Sequence, residues 1–142
     1  LNRMIYYVLS GHYQKAIDVS HDFPYYTNQY YFYLAYAYLK IGDDESCIRM
    51  ISEGRKTDNR VNEMYRLNDK GFDFIEAVIS KEKEDYELKL KTFFDTALKS
   101  NAYNKAQIAY DYYIDFLVSN RQYKSAYDIT QTMIEVTKKV MQ

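Results

Sequence analysis

The stretch Gln29-Tyr30-Tyr31-Phe32-Tyr33-Leu34-Ala35-Tyr36-Ala37-Tyr38-Leu39-Lys40-Ile41, followed by Gly42-Asp43-Asp44-Glu45-Ser46-Cys47-Ile48, decides the fold class. Tyr31, Leu34, Ala35, Tyr38 and Ile41 recur at helical spacing and form one apolar stripe, so the spacing predicts a helix over about 29–41. Gly42 supplies a stop. Asp43 and Asp44 open the next helix, where carboxylates suit the positive end of the helix dipole. That second helix runs to about Glu53 with Cys47, Ile48 and Ile51 inward, and Gly54 is expected to close it. Upstream, Pro24 cannot continue a helical ladder, and Thr27 or Asn28 can cap the helix at 29.

The same reading extends outward in both directions. Residues 1–10 read as a short helix with Met4, Ile5, Val8 and Leu9 apolar. Gly11-His12 punctuates it, and Tyr13 to about His21 follows with Ala16 and Ile17 inward. Thr57-Asp58 is a further cap. Val61, Met64, Tyr65, Phe72, Ile75, Val78 and Ile79 give helical spacing over about 59–80. Asn68-Asp69-Lys70-Gly71 is a turn-like tetrad inside that run, where a kink or break is expected. Lys81 to Asp85 is a charged junction. Tyr86, Leu90, Phe93, Phe94, Ala97 and Leu98 carry a helix to about 99, ended by Ser100-Asn101. Residues 102–118 carry Ala106, Ala109, Tyr110, Tyr113, Ile114 and Leu117. After a turn at Asn120, the stripe Tyr123, Ala126, Tyr127, Thr130, Met133, Ile134, Thr137 and Val140 defines the last helix. Eight helices in four hairpins result.

Composition agrees. The 142 residues suit one domain, with 47% hydrophobic and 27% charged residues, one Pro and four Gly. So few breakers favour helices over a β-sandwich. The longest aromatic-rich run, Tyr30 to Leu39, falls short of the roughly 18 apolar residues a membrane span needs, and the N-terminus has no signal-peptide layout. A cytoplasmic protein without membrane contact is expected. Starting on Leu1 suggests a piece of a longer protein. The net charge of −1 gives no global reason to bind nucleic acid.

An internal repeat runs through the helices. Its best copy is Leu34, Ala35, Tyr38, Gly42, Cys47 and Ile51. A second, Met4, Tyr7, Gly11 and Ala16, lies 31 residues earlier. A third, Ala77 with Leu90, Phe94 and Ala97, needs an extra residue in its turn. A fourth, Leu117, Asn120-Arg121, Ala126, Thr130 and Met133, lacks the glycine. In this order of large, small, aromatic, glycine and small residues the chain resembles tetratricopeptide (TPR) repeats. The resemblance is good over 1–55 and degenerate beyond. It implies an all-α, right-handed superhelix of about four antiparallel helix hairpins, a TPR-like α-solenoid in which each hairpin buries its free face on the next.

The resemblance also implies a role. In TPR proteins a second stripe on the first helix of each hairpin lines a concave groove that holds extended peptides. Carried over by position, Gln29, Phe32, Tyr33 and Tyr36 face that groove, and Ile108, Asp111, Asp115 and Val118 do so in the last hairpin. Rings supply contact area at low entropy cost, and the polar groups between them satisfy a peptide backbone. The competing reading is that these aromatics pack against a flanking hairpin and bury both faces of a central helix.

The expected function is therefore a non-catalytic protein- or peptide-binding scaffold module. The degenerate, tyrosine-rich repeats also resemble the sensor domains of bacterial peptide-pheromone receptors. That would make the chain a ligand-sensing and dimerisation domain of a transcriptional regulator, its DNA-binding domain upstream of Leu1 and no nucleic acid touched by this domain. Ile129 and Val136 lie off the stripe of the last helix, where an apolar flank contacts a missing hairpin or makes a homodimer through the C-terminal helix.

Catalytic chemistry has little to draw on. His12 and His21 are nine apart, with no HExxH or Cys/His cluster, so neither metal nor other cofactor is expected. Cys47, the single cysteine, fills a small-residue core position. The carboxylates Asp43, Asp44, Glu45, Glu82, Glu84 and Asp85 sit at helix starts and turns, where capping explains them. The basic cluster Arg55, Lys56 and Arg60 is interrupted by Asp58 and Glu53, whereas a nucleic-acid site would want more charge with no acids between. No enzyme activity is expected.

Overall fold

A computed structural model describes residues 2–22, 27–57, 63–80 and 83–140, with side chains from Arg66 and from Asp85 onward in the third and fourth of these segments. Pro24, Asp58, Arg60, Val61, Lys81 and Glu82, and the side chains of Met64, Tyr65 and Glu84, lie outside the described residues. The described residues form helices α1 (Asn2–Leu9), α2 (Tyr13–Ser20), α3 (Asn28–Lys40), α4 (Asp44–Arg55), α5 (Glu63–Ser80), α6 (Lys83–Lys99), α7 (Tyr103–Ser119) and α8 (Tyr123–Val140), and contain no strand. None of these helices is long and apolar enough to cross a membrane. The chain divides into two compact units, Leu1–Lys81 and Glu82–Gln142.

In the first unit α1 pairs with α2, and α3 packs against both. Likewise α3 pairs with α4, and α5 packs against both. In the second unit α7 packs against α6 and against α8. The third hairpin expected from sequence, α5 with α6, joins helices that belong to different units.

The short connections share one geometry. Gly11 (φ +82°), Gly42 (φ +84°), Asn101 (φ +56°) and Arg121 (φ +60°) each take the left-handed conformation two residues after a helix ends. At Gly42 the backbone N–H donates to Leu39 C=O at 3.1 Å, and the next N–H, Asp43, donates to Tyr38 C=O at 3.0 Å. The same two bonds recur as Gly11 to Val8 and His12 to Tyr7, as Asn101 to Leu98 and Ala102 to Ala97, and as Arg121 to Val118 and Gln122 to Leu117. This is the Schellman pattern, which satisfies carbonyls otherwise orphaned at a helix end. The residue after the left-handed position then starts the next helix, its C=O accepting from the N–H of Ala16, Cys47, Ala106 or Ala126. Those four small residues are all buried, at 0–6% exposure.

The turns correct the register of the third repeat. The turn expected between α5 and α6 lies outside the described residues, but one helix later, at Ser100–Ala102, the same turn geometry recurs. Phe93, Phe94, Ala97, Asn101 and Ala106 therefore stand where Leu34, Ala35, Tyr38, Gly42 and Cys47 stand in the best copy. Asparagine can enter the left-handed region without glycine's freedom, which is why the missing glycine hid the copy. Arginine at Arg121 bears the full steric cost of that conformation, roughly 1–2 kcal/mol. Arg121→Gly is accordingly expected to stabilise the protein by about 0.5–1 kcal/mol, after allowing for the greater freedom of glycine in the unfolded chain. Urea midpoints would show this, and a lowered midpoint would contradict the left-handed turn.

Three further expectations change. Asn68–Gly71 neither breaks nor separates helices, because α5 runs unbroken from Glu63 to Ser80. Asn68 is fully buried and its Nδ2 donates to Asn28 Oδ1 at 3.1 Å, while Asp69 pairs with Arg55. The turn-like residues thus serve packing. Gly54 does not end α4 but lies buried within it. A Cβ there would meet Phe72 Cζ at 2.5 Å and Tyr31 Cβ at 2.9 Å, so the glycine lets α5 approach. Thr57 closes the helix, its hydroxyl donating to Gly54 C=O at 2.7 Å. Finally, Ile41 and Ile48, read as inward, are 43% and 51% exposed. The caps follow expectation: Thr27 Oγ1 accepts from the Tyr30 N–H at 3.2 Å, and Asp43 Oδ1 from the Ser46 N–H at 3.1 Å.

Candidate partner-binding surface

The residues carried over as groove-lining fall into two groups. Phe32, Tyr33, Tyr36 and Ile108 are buried, while Gln29 is half-buried and Asp111, Asp115 and Val118 are exposed. α3 is enclosed because four helices, α1, α2, α4 and α5, pack around it. Tyr30, Phe32, Tyr33, Leu34, Ala35, Tyr36 and Ala37 are consequently buried in succession. Phe32 meets Phe72 of α5 at 6.3 Å between ring centroids. Tyr36 stands edge-on to Tyr13 of α2 at 6.1 Å, and Lys40 Nζ lies 5.9 Å from both rings. Burial pushes the Tyr33 hydroxyl up to about 12.

The polar and nucleophilic groups have local explanations. Asp43 is held below the usual carboxylate range, first by its hydrogen bonds with Ser46 and then by Arg49. Cys47 is fully buried, and burial, with Asp44, Asp43 and Glu76 adding to it, pushes its thiol up to about 12. At ordinary pH it is therefore held as the neutral thiol, the less reactive form. Burial opposes the charge on Arg55, yet Glu76, Asp73 and Asp69 outweigh that and raise its pKa. Those carboxylates lie 2.7, 2.7 and 3.4 Å from the guanidinium and tie the end of α4 to α5. Lys105 is 3% exposed, and burial draws its ammonium down to about 8. His12 Nδ1 shares a proton with Ser10 Oγ at 2.9 Å, and His21 is exposed. No group of three His, Cys, Asp or Glu is placed to hold a metal among the described residues.

Among the described residues, one open surface lies in the second unit. A cleft of about 330 Å³ between α7 and α8 is lined by Gln107, Tyr110, Thr130, Met133, Ile134, Thr137 and Lys138. Its floor is ordered by hydrogen bonds. Tyr110 Oη and Thr130 Oγ1 are 3.0 Å apart, and Thr130 and Thr137 donate back to Ala126 C=O and Met133 C=O. Sequence pattern assigned Tyr123, Tyr127, Ile134 and Val140 to the inward stripe of α8. They are instead 62%, 64%, 42% and 60% exposed, and Ala126 and Met133 are the buried residues. Among the described residues α7 is the helix that packs most closely on α8 in this unit, and packing on one side covers a narrower strip than the stripe. Ile129 and Val136 are half-buried.

These features define an all-helical protein with repeated hairpin turns and an open apolar cleft. No known family model matches the sequence, and comparison with curated proteins and with solved structures finds no match.

Proposed function

We propose that this chain is a non-catalytic interaction module that holds a protein or peptide partner, built from TPR-like helix hairpins arranged as a solenoid. The observation that carries the reading is the cleft between α7 and α8, which Tyr110, Met133 and the exposed Ile134 line. Isolated exposed apolar residues are ordinary, but a contiguous set bordering a cleft is a typical binding surface. Tyr110, Met133 and Ile134 supply the apolar contact. Gln107 and Lys138 supply directional polar contacts, with the exposed Asp111 and Asp115 further along α7. Of the α3 residues carried over as groove-lining, Gln29 is the half-buried one.

Affinity capture with purified protein tests this. Ile134→Glu alters an exposed side chain and should leave helicity by circular dichroism unchanged. Tyr6→Glu, on the 66% exposed Tyr6 of α1, serves as the control. A specific partner is expected on wild type and control and to be lost with Ile134→Glu. Retention by all three would overturn the assignment of this surface. The second reading, a ligand-sensing and dimerisation domain of a transcriptional regulator, draws on the exposed Tyr123, Tyr127 and Val140 of α8. Sedimentation as a strict monomer at high concentration would remove it.

A further inference from the structure

We propose that the α7/α8 cleft receives a single amphipathic helix, seated as α5 is seated on α3 and α4; this rests on the partner-binding reading above and names the partner's form. Each pair, α3 with α4 and α7 with α8, is joined by the same turn. Aligning Arg121 with Gly42 places Gln107 at the position of Asn28, Tyr110 at Tyr31, Thr130 at Ile51, Met133 at Gly54 and Ile134 at Arg55. Four of those first-unit residues are the ones that hold α5. Asn28 Oδ1 accepts from Asn68 Nδ2, Tyr31 and Gly54 flank Phe72, and Arg55 pairs with Asp69, Asp73 and Glu76. Their second-unit counterparts line the open cleft.

The differences between the two sites specify the occupant. Gly54 leaves room for a phenylalanine ring, whereas the Met133 side chain fills that space, so the occupant carries an aliphatic residue there. Arg55 calls for carboxylates, whereas Ile134 calls for another aliphatic residue in their place. Gln107 Nε2 donates to Asp111 Oδ1 at 2.9 Å, and its Oε1, like Asn28 Oδ1, can accept from an amide. At the rim, Lys138 is 65% exposed and pairs with Glu135 at 3.4 Å, and Lys139 follows it, so the basic last turn of α8 favours an acidic residue near that end. The partner is thus a helix with an aliphatic stripe, one amide and an acidic flank.

The probe is a synthetic peptide of residues 63–80 carrying Phe72→Leu, Asp69→Leu, Asp73→Leu and Glu76→Leu, which keeps Asn68 while matching Met133 and Ile134. Added to the 142-residue chain, it is expected to become helical by circular dichroism and to slow amide exchange in α7 and α8. Ile134→Lys should weaken its binding by about tenfold or more. Thr137→Lys, a second exposed position, is expected to act likewise should Ile134→Lys perturb folding. No binding, or slowed exchange confined to α3 and α4, overturns the proposal. Self-association lost with Ile134→Lys also overturns it, by assigning the cleft to a second copy. A captured partner that depends on Ile134, without peptide binding, would sink the helix proposal alone. Failure of both experiments would sink the interaction reading as well.

Discussion

Gly54→Ala is expected to destabilise the first unit by about 2 kcal/mol, although alanine is the better helix former. In an open helix the change would gain about 1 kcal/mol of propensity. Here the new methyl would lie 2.5 Å from Phe72 Cζ and 2.9 Å from Tyr31 Cβ. Phe72 is 1% exposed, so its ring has no solvent to swing into, and Tyr31 Cβ cannot move without its backbone. Overpacking of this kind costs typically 1–3 kcal/mol, and contacts this short belong at or above the top of that range. Arg55, next in sequence, would lose its geometry toward Asp69, Asp73 and Glu76 as α5 is pushed away. Urea denaturation would read the loss, and slowed or unchanged unfolding would mean that α5 does not approach α4 at Gly54.

Phe72→Ala is expected to cost more, about 3–5 kcal/mol, in line with deletion of a buried ring. The ring fills the space above Gly54, meets Phe32 at 6.3 Å between centroids, and lies 5.9 Å from the Arg55 guanidinium. Its removal leaves a cavity between three helices, α3, α4 and α5, that neither Gly54 nor the stiff ring of Phe32 can fill. The two substitutions act on one contact and so should not add. With the ring gone the Gly54→Ala methyl enters vacated space, and the double variant should be more stable than the sum of the single losses predicts. Strict additivity in the cycle would refute the direct contact. The second unit, which Phe72 does not belong to, provides an internal control: amide exchange in α7 should change less than in α3.

Much of the chain was legible from local pattern. Apolar spacing located all eight helices to within a few residues of the observed bounds, because a helix that buries one face must repeat it at helical spacing. Gly11 and Gly42 marked their turns for a steric reason, the positive φ that each adopts. Thr27 and Asp43 were readable as caps because a short oxygen-bearing side chain before a helix can accept an orphaned N–H. The turns at Asn101 and Arg121 were less visible, since there the same backbone is held without glycine.

What only the tertiary structure decided is how many neighbours each helix has. Periodicity describes the faces of one helix and is silent on which faces are covered. Four helices surround α3 and bury Phe32, Tyr33 and Tyr36 together with the predicted core stripe, whereas α8 leaves Ile134 and Tyr127 exposed from an equally apolar pattern. Gly54 and Asn68–Gly71 read locally as punctuation, yet one admits a ring and the other supplies a buried amide and an ion-pair partner. Such roles depend on residues far along the chain, on Phe72 for Gly54 and on Asn28 for Asn68, and no local window contains both halves of the contact.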